Sequence, residues 1–572
     1  MKDDKQMKLV FDIEGNGLAE LTVEKETPII EATRVWCMCA MDVDTGKMYS
    51  FLEHEIEEGV KLLRSADVLI GHNIIQYDIP LLERLYGEID TKAYDTLIVS
   101  RLVYPDRRDH PFGGNSLKAW GEYLKCNKIQ YNLGFEEFHD SMVSYCKQDV
   151  ILTKKIFDTQ CDSGFLSDYP KSIKLEHDLA KILASQMANG IGFDLNAANK
   201  LEYDLLMEKV LIEDEMSETF QPLTEERWSE KTGKRLKDKV TYFNPGSRKQ
   251  IADRLHTKYG WIGPKTEKGN PKVDSGVLKK LKYPEAKTLV KYFDVIKMLS
   301  QVSDWILRSV SSRDGRIHGC VNTQGTVTGR MTASQPNLQQ VSGDPRARAL
   351  FVPRESWVQV GIDASGLEAR LLANRMAKWD DGSYGRIVLN GDIHTANQKA
   401  AGLSNRDDAK TFFYALIYGA GDAKIGSIVG KKSKEGKLIK NKFFDNMPAL
   451  KNLMDNCQFQ VSKKGTITLL DGREVPCRAK HKALNVQIQG DGAILMKLAQ
   501  YKFNTELNKR YPDRVSFMAT VHDEWQLECE PDIADDVGKL GVRAIIDAGL
   551  ELGCVVRMDG EYRIGKNWAE CH

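Results

Sequence analysis

Residues 361–370 read Gly361-Ile362-Asp363-Ala364-Ser365-Gly366-Leu367-Glu368-Ala369-Arg370. An apolar approach ends in a carboxylate, small residues follow, and a helical pattern begins. The spacing predicts a buried strand running into a helix, with Asp363 at the strand end, where a side chain can enter a cleft. A second stretch, Val521-His522-Asp523-Glu524-Trp525, sets two adjacent acids in a tight strand-turn context. Asp363 and Asp523 are distant in the chain, yet both follow apolar strand residues. That is the expectation for neighbouring strands that present one metal-binding pair of carboxylates.

Between these stretches lies Arg406-x-x-x-Lys410-x-x-x-Tyr414-x-x-x-Tyr418-Gly419. Residues four apart share a helix face, so two cations and two aromatics line one side. Cations bind a triphosphate, and aromatic rings stack on bases. His394 precedes the helix and can add a phosphate contact, while Gly419 and Gly421 relax the helix end. The spacing alone also fits a half-buried amphipathic helix with snorkelling basic residues; the flanking acids favour the nucleotide-binding reading.

Working outward, the segment up to about Phe165 alternates strand-like and helical patterns, which suggests an α/β domain. Its apolar runs are Leu9-Val10-Phe11, Val35 to Met41 and Val68 to Gly71. Asp12 and Glu14 follow the first run, two residues apart and so on one face of a strand. Two carboxylates on one face repel unless a cation sits between them. Asp78 closes the segment His72 to Pro80. Tyr145 and Asp149 are four apart on a helical stretch and reach one site together. Four carboxylates and a phenol fit a phosphodiesterase that uses two divalent ions about 3.5–4 Å apart, the phenol orienting the attacking water. The alternative is that these acids are solvated surface charges.

Ser172 to about Gln301 is mostly helical in pattern, with a stripe of Leu175, Leu179, Ile182, Leu183 and Met187. A charged, turn-rich stretch from Thr224 to Lys239 interrupts it. Helices resume after Asn244-Pro245-Gly246-Ser247, which offers a turn and a cap. From His318 onward, strands and helices mix.

With 572 residues the chain exceeds a single core. It is 42% hydrophobic, with no window approaching the roughly 18 apolar residues that span a bilayer. The polar start, Met1 to Gln6, resembles no signal or transit peptide. Lys+Arg and Asp+Glu are 81 each, so any basic surface is local and balanced by acidic sites. The 11 cysteines are an odd number and scattered, which suits a reducing cytoplasm. Cys37 and Cys39 have no second pair at zinc spacing.

The stretches at 361–370, 406–419 and 521–525 resemble motifs A, B and C of the family A (Pol I-like) DNA polymerases, of the kind found in T-odd bacteriophages. Thr328-Gly329-Arg330 with Pro336-Asn337-Leu338-Gln339 resembles that family's template-primer segment, and Ala483-Leu484-Asn485 with Gln489-Gly490 its minor-groove contacts. Residues 8–158 resemble its proofreading exonuclease of the Asp-Glu-Asp-Asp-Tyr class, with Asp95-Thr96-Leu97 and Leu117 to Gly121 as connecting segments. The ending Asn567 to His572 is also similar to the phage enzymes.

The resemblance implies an α/β (α+β) multidomain fold. An RNase H-like 3′-5′ exonuclease domain, 1–165, precedes a right-hand polymerase, 166–572. The thumb covers about 170–325, the palm about 326–394 and 470–572, and the fingers about 395–469. It implies template-directed addition of dNTPs to a primer 3′ end, with 3′-5′ proofreading. Asp363, Asp523 and the carbonyl of Ala364 would hold two Mg²⁺, with Glu524 as an outer-shell group. Asp12, Glu14, Asp78 and Asp149 would hold two more beside Tyr145, with Mn²⁺ as a substitute ion. Arg406, Lys410 and His394 would bind the phosphates. Tyr414 would stack near the incoming base and sugar, and a tyrosine there goes with easy acceptance of dideoxynucleotides. Glu368 would exclude a 2′-OH, and Tyr418 would lie near the templating base. Arg330, Asn485, Gln489 and His522 would touch the DNA minor groove, testing shape rather than sequence.

The partners implied are primer-template DNA and dNTPs, with a replicative helicase-primase and a single-stranded DNA-binding protein as accessories. The phage enzymes carry a long thumb insertion that grips thioredoxin. Here the stretch between Phe220 and Phe243 is short, so no thioredoxin is expected. A monomer in a host bacterial cytoplasm, without membrane contact, is the expected state. Three other readings compete: a single-subunit RNA polymerase, a nuclease with an inert polymerase-like half, and a polymerase confined to repair. Glu368 argues against the first, and intact Asp363, Asp523, Arg406 and Lys410 against the second. The third stays open.

Overall fold

The apolar runs at Leu9, Val35 and Val68 become strands of one sheet. Its order is Met48–Leu52, Val35–Asp42, Lys8–Gly15, Val68–Gly71, Lys92–Asp95. The first three strands run antiparallel and the last three parallel. Val35–Asp42 is an interior strand and nearly continuously buried, as a strand covered on both faces must be. The Asp140–Asp162 helix packs on this sheet through Met142, Cys146 and Val150. The structure is a computed structural model that describes residues 6–17, 22–24, 27–29, 32–106 and 113–572. The residues of the Met1 to Gln6 start before Gln6 lie outside the described ones.

The second sheet is wholly antiparallel, in the order Val515–Val521, Glu524–Cys529, Val358–Ala364, Gly560–Gly565. The long Ala483–Arg510 helix and the Ala534–Glu551 helix carry apolar residues into the same core, where Phe503 lies 5.5 Å from Trp525. Gly366, at φ +58, turns the Val358–Ala364 strand sharply into the Leu367–Asp380 helix. Six helices follow, from Ser383–Asn390 to Pro448–Lys464. They pack through Phe412, Phe413, Phe443 and Leu450.

Two compact units result. One comprises Met1–Gly192, Arg316–Gln340 and Val352–His572; the other comprises Phe193–Gly315 and Val341–Phe351. The thumb expected from about 170 therefore does not begin as a separate body there. The Pro170–Asn189 helix belongs to the first unit, because Glu176 and His177 are buried in it. Glu176 meets Lys497 at 2.7 Å, and His177 Nε2 accepts the Asp95 N–H at 2.8 Å.

In the second unit the Leu195–Thr219 and Pro284–Ser311 helices pack together, and Ser247 caps the Arg248–Tyr259 helix through the Gln250 N–H. The turn-rich interruption at Thr224 to Lys239 is a β-hairpin, Leu223–Trp228 with Arg235–Thr241. Cross-strand pairs Arg235–Glu226 and Lys239–Glu225 bridge it, and Gly233 closes the tip at φ +63. Opposite charges on facing strands turn a charged, turn-rich run into a pairing pattern. Among the described residues, no helix is long and apolar enough to cross a membrane.

Candidate active sites

Asp363 ends the Val358–Ala364 strand, directly between Glu524 on one neighbour and Glu561 on the other. Val521 pairs with Glu524, so His522 and Asp523 form a two-residue hairpin turn with His522 at φ +56. The Ala364 N–H donates to the Asp523 carbonyl at 3.0 Å, which pins the turn to the strand end. Two residues some 160 apart in sequence thus share one site. Burial, then Asp523 and Glu524, push the Asp363 carboxyl up to about 7; burial also raises Asp523. Uncompensated charge of this kind fits a cation-binding pair.

Glu524 is buried and turned away from open space. Its Oε1 accepts from the Trp568 indole at 2.7 Å and the Gln526 amide at 2.5 Å, and its Oε2 meets His572 Nδ1 at 3.0 Å. Its charge is felt by Asp363, whose carboxyl it helps push up. The Trp568 and His572 clamp escaped sequence reading, because no local pattern ties residues 568 and 572 to residue 524.

The Arg406–Ile417 helix buries Ala409, Phe412, Phe413 and Leu416 and leaves Arg406 and Lys410 exposed, with Tyr414 half-buried. One face of the helix is thus apolar and the other carries the two cations and Tyr414. Arg406 forks onto Asp392 at 2.7 and 3.0 Å, and the His394 ring lies 6.2 Å from that of Tyr414. Tyr418 caps the helix and Gly419 follows at φ +77, where a Cβ would stand 2.4 Å from the His481 carbonyl. Tyr418 donates to Glu368, which Arg330 also reaches, joining three of the expected residues. On the Ala483–Arg510 helix, Gln489 meets the Tyr418 hydroxyl, and the buried Asn485 Oδ1 has no hydrogen-bond partner.

A second site lies on the first sheet. Asp12 and Glu14 sit on the Lys8–Gly15 strand, and Asp78 Oδ1 accepts the Ile13 N–H at 3.2 Å, which ties the Asp78–Tyr86 helix to them. Tyr145 and Asp149 arrive from the Asp140–Asp162 helix. All five line one cavity of about 740 Å³. Burial and mutual repulsion push Glu14 up to about 8, and burial raises Asp78 to about 7 and Asp12 well above the usual carboxylate range. The buried Asp149 Oδ1 has no hydrogen-bond partner, and carboxylate oxygens of Asp12 and Glu14 lie within 4.8 Å of each other. That donor set fits divalent cations.

Sequence reading missed two neighbours here. Cys146 backs the site by donating to the Asp12 carbonyl at 3.2 Å. Lys128 reaches Asp149 at 2.6 Å. Asp95, by contrast, is structural: it caps the Thr96–Val103 helix and accepts the Asn73 and Ile75 N–H groups.

A family model described as "DNA polymerase family A" matches residues 214–570. The chain belongs to DNA polymerase family A. It is 31% identical to the DNA-directed DNA polymerase of Enterobacteria phage T3 and 32% identical to that of Escherichia phage T7. Each match covers 99% of this chain and 100% of the relative. It is 28% identical to the DNA polymerase I of Aquifex aeolicus over 90% of both chains. A solved structure, the POL domain of Pol1 from M. smegmatis in complex with DNA primer-template and dNTP, shares the fold. Its TM-score is 0.78 at 18% identity, over 99% of this chain and 96% of that one. The family match begins at residue 214, so the cavity around Asp12 lies outside it; the phage relatives span both sites of this family A polymerase.

Proposed function

We propose that this DNA-directed DNA polymerase extends primers at the Asp363–Asp523 site and excises 3′-terminal nucleotides at the Asp12–Asp149 site. The observation that carries the first half is the pinning of Asp523 beside Asp363, with a face of cations and aromatics from the Arg406–Ile417 helix in the same unit. The second half rests on four carboxylates and a tyrosine around one cavity of a mixed α/β sheet, read as an RNase H-like exonuclease.

Asp363, Asp523 and the Ala364 carbonyl would hold two Mg²⁺, and Asp12, Glu14, Asp78 and Asp149 two more. Bound there, divalent ions would supply nucleophile activation and stabilisation of developing charge. Arg406, Lys410 and His394 bind the triphosphate, and Arg406 exchanges Asp392 for phosphate. Tyr414 stacks beside the incoming nucleotide, and Glu368 closes the space where a 2′-OH would stand. Arg330, Asn485, Gln489 and His522 read the minor groove, where acceptors stand alike in every correct pair. Tyr145 orients the water in the excision site.

The thumb is the second unit, with the fingers at about 395–469 and the palm around them. The protein acts as a monomer in phage replication in a bacterial cytoplasm, beside a helicase-primase and a single-stranded DNA-binding protein. The short hairpin makes thioredoxin unnecessary. The test is a labelled primer on a longer template with Mg²⁺. Extension with dNTPs and 3′ shortening without them support both halves; shortening alone at high dNTP removes the first.

A further inference from the structure

The cavity around Asp12 carries a charge imbalance. Among the described residues that line it, Asp12, Glu14, Asp78, Glu136 and Asp149 are acids, and Lys128 is the one lysine or arginine. His72 also lines it, but burial holds its imidazole near 4, so it brings no charge at neutral pH. Lys128 is not a loose surface lysine. Its side chain is 25% exposed, and its ammonium stands 2.6 Å from Asp149 Oδ2 and 4.7 Å from the centre of the Tyr145 ring. It also hydrogen-bonds the Tyr145 hydroxyl.

The backbone beside it is built in. Gln148, the residue before Asp149, donates its amide to the Asn127 carbonyl at 2.9 Å and touches Cys126 Sγ. The chain at 126–128 is therefore stitched to the helix that carries both Tyr145 and Asp149. Lys128 leaves the second Asp149 oxygen, Oδ1, buried and without a partner.

We infer that Lys128 is a sixth functional residue of the excision site, which holds Tyr145 and Asp149 in register and presents an ammonium to the phosphate being cleaved; this rests on the exonuclease reading above. In that cleavage the water oxygen forms a new P–O bond and the P–O3′ bond breaks. The leaving oxygen takes the proton lost by the water and becomes the 3′-hydroxyl of the shortened strand, and a nucleoside 5′-monophosphate departs. Negative charge gathers on the phosphate as this happens, where a positioned ammonium is most effective. In the free protein the same ammonium lies on a ligand carboxylate and competes with cations for it.

The opposed effects give a test that a merely structural ion pair does not pass. In an Asp523→Ala background, where the polymerase pair is broken, Mn²⁺ binding is followed by electron paramagnetic resonance with and without Lys128→Ala. Exonuclease turnover on a labelled single strand is measured alongside. Loss of Lys128 is expected to tighten Mn²⁺ binding several-fold while kcat falls roughly 10–100-fold, and Lys128→Arg restores most of the turnover. Primer extension by the single Lys128→Ala protein reports that the palm is intact. Equal turnover in Lys128→Ala and the parent overturns the inference, as does weakening of Mn²⁺ binding and turnover together. If Asp12→Ala leaves any observed shortening unchanged, the exonuclease reading itself fails, and the two failures are told apart.

Discussion

Tyr418 donates its phenolic proton to Glu368 Oε1 at 2.9 Å, and Arg330 reaches the same oxygen at 3.4 Å. A carboxylate held from two sides keeps one position, which is what a steric filter against ribose needs. A hydrogen bond to a charged group is worth about 1.5–3 kcal/mol. Tyr418→Phe should therefore raise the rCTP-to-dCTP ratio of kcat/KM by roughly 10-fold, and Glu368→Ala by more. Unchanged ratios in both variants would remove the filter role.

The acidic sites set a pH dependence. Glu14 is pushed up to about 8 and Asp363 and Asp78 to about 7, all chiefly by burial. A carboxyl raised in the folded state binds more protons folded than unfolded, so stability falls as pH rises from about 4 through these values. In EDTA, Tm should decline between pH 5 and 8, and Glu14→Gln should flatten the slope. Mg²⁺ should raise Tm more at pH 8 than at pH 5. A flat metal-free profile would contradict the electrostatics described.

Glu176 lies buried between Lys497, at 2.7 and 2.9 Å, and Arg473, at 2.7 Å, with Asp471 on the far side of Arg473. Glu176→Gln leaves two buried cations with one carboxylate. Breaking such a cluster costs about 3–5 kcal/mol, measured by urea unfolding of the purified protein. Leucine at 176 together with methionine at 497 should recover part of that loss. A Glu176→Gln loss below about 1 kcal/mol would mean that water reaches the cluster.

These residues mark where sequence reading stops. Strands at Leu9, Val35 and Val68, and the positions of Asp363, Asp523, Asp12 and Glu14, were legible because period-2 and period-4 patterns are local. Glu176 and His177 were invisible within a helix read only for its apolar stripe: their partners lie at 473 and 497 and at 95, and no spacing rule joins them. Lys128 and Trp568 escaped for the same reason. The hairpin at Leu223–Thr241 was hidden differently, because its cross-strand charge pairs read along the chain only as a charged, turn-rich run.

That hairpin makes a further expectation. Every residue of Leu223–Trp228 is exposed, including Trp228 at 58%. Replacing 224–240 by a short glycine linker should shift Tm by no more than about 2 °C. Added thioredoxin should not change product length in either protein. A large processivity gain with thioredoxin, lost on deletion, would show that the hairpin is a docking site after all.

The central claim is that one chain holds two separate catalytic sites, and Asp523→Ala tests it most directly. On a labelled primer-template with Mg²⁺ and all four dNTPs, this variant should show no extension and undiminished 3′ shortening, while Asp12→Ala shows extension without shortening. Loss of both activities in either variant, with the fold intact by circular dichroism, would contradict the account.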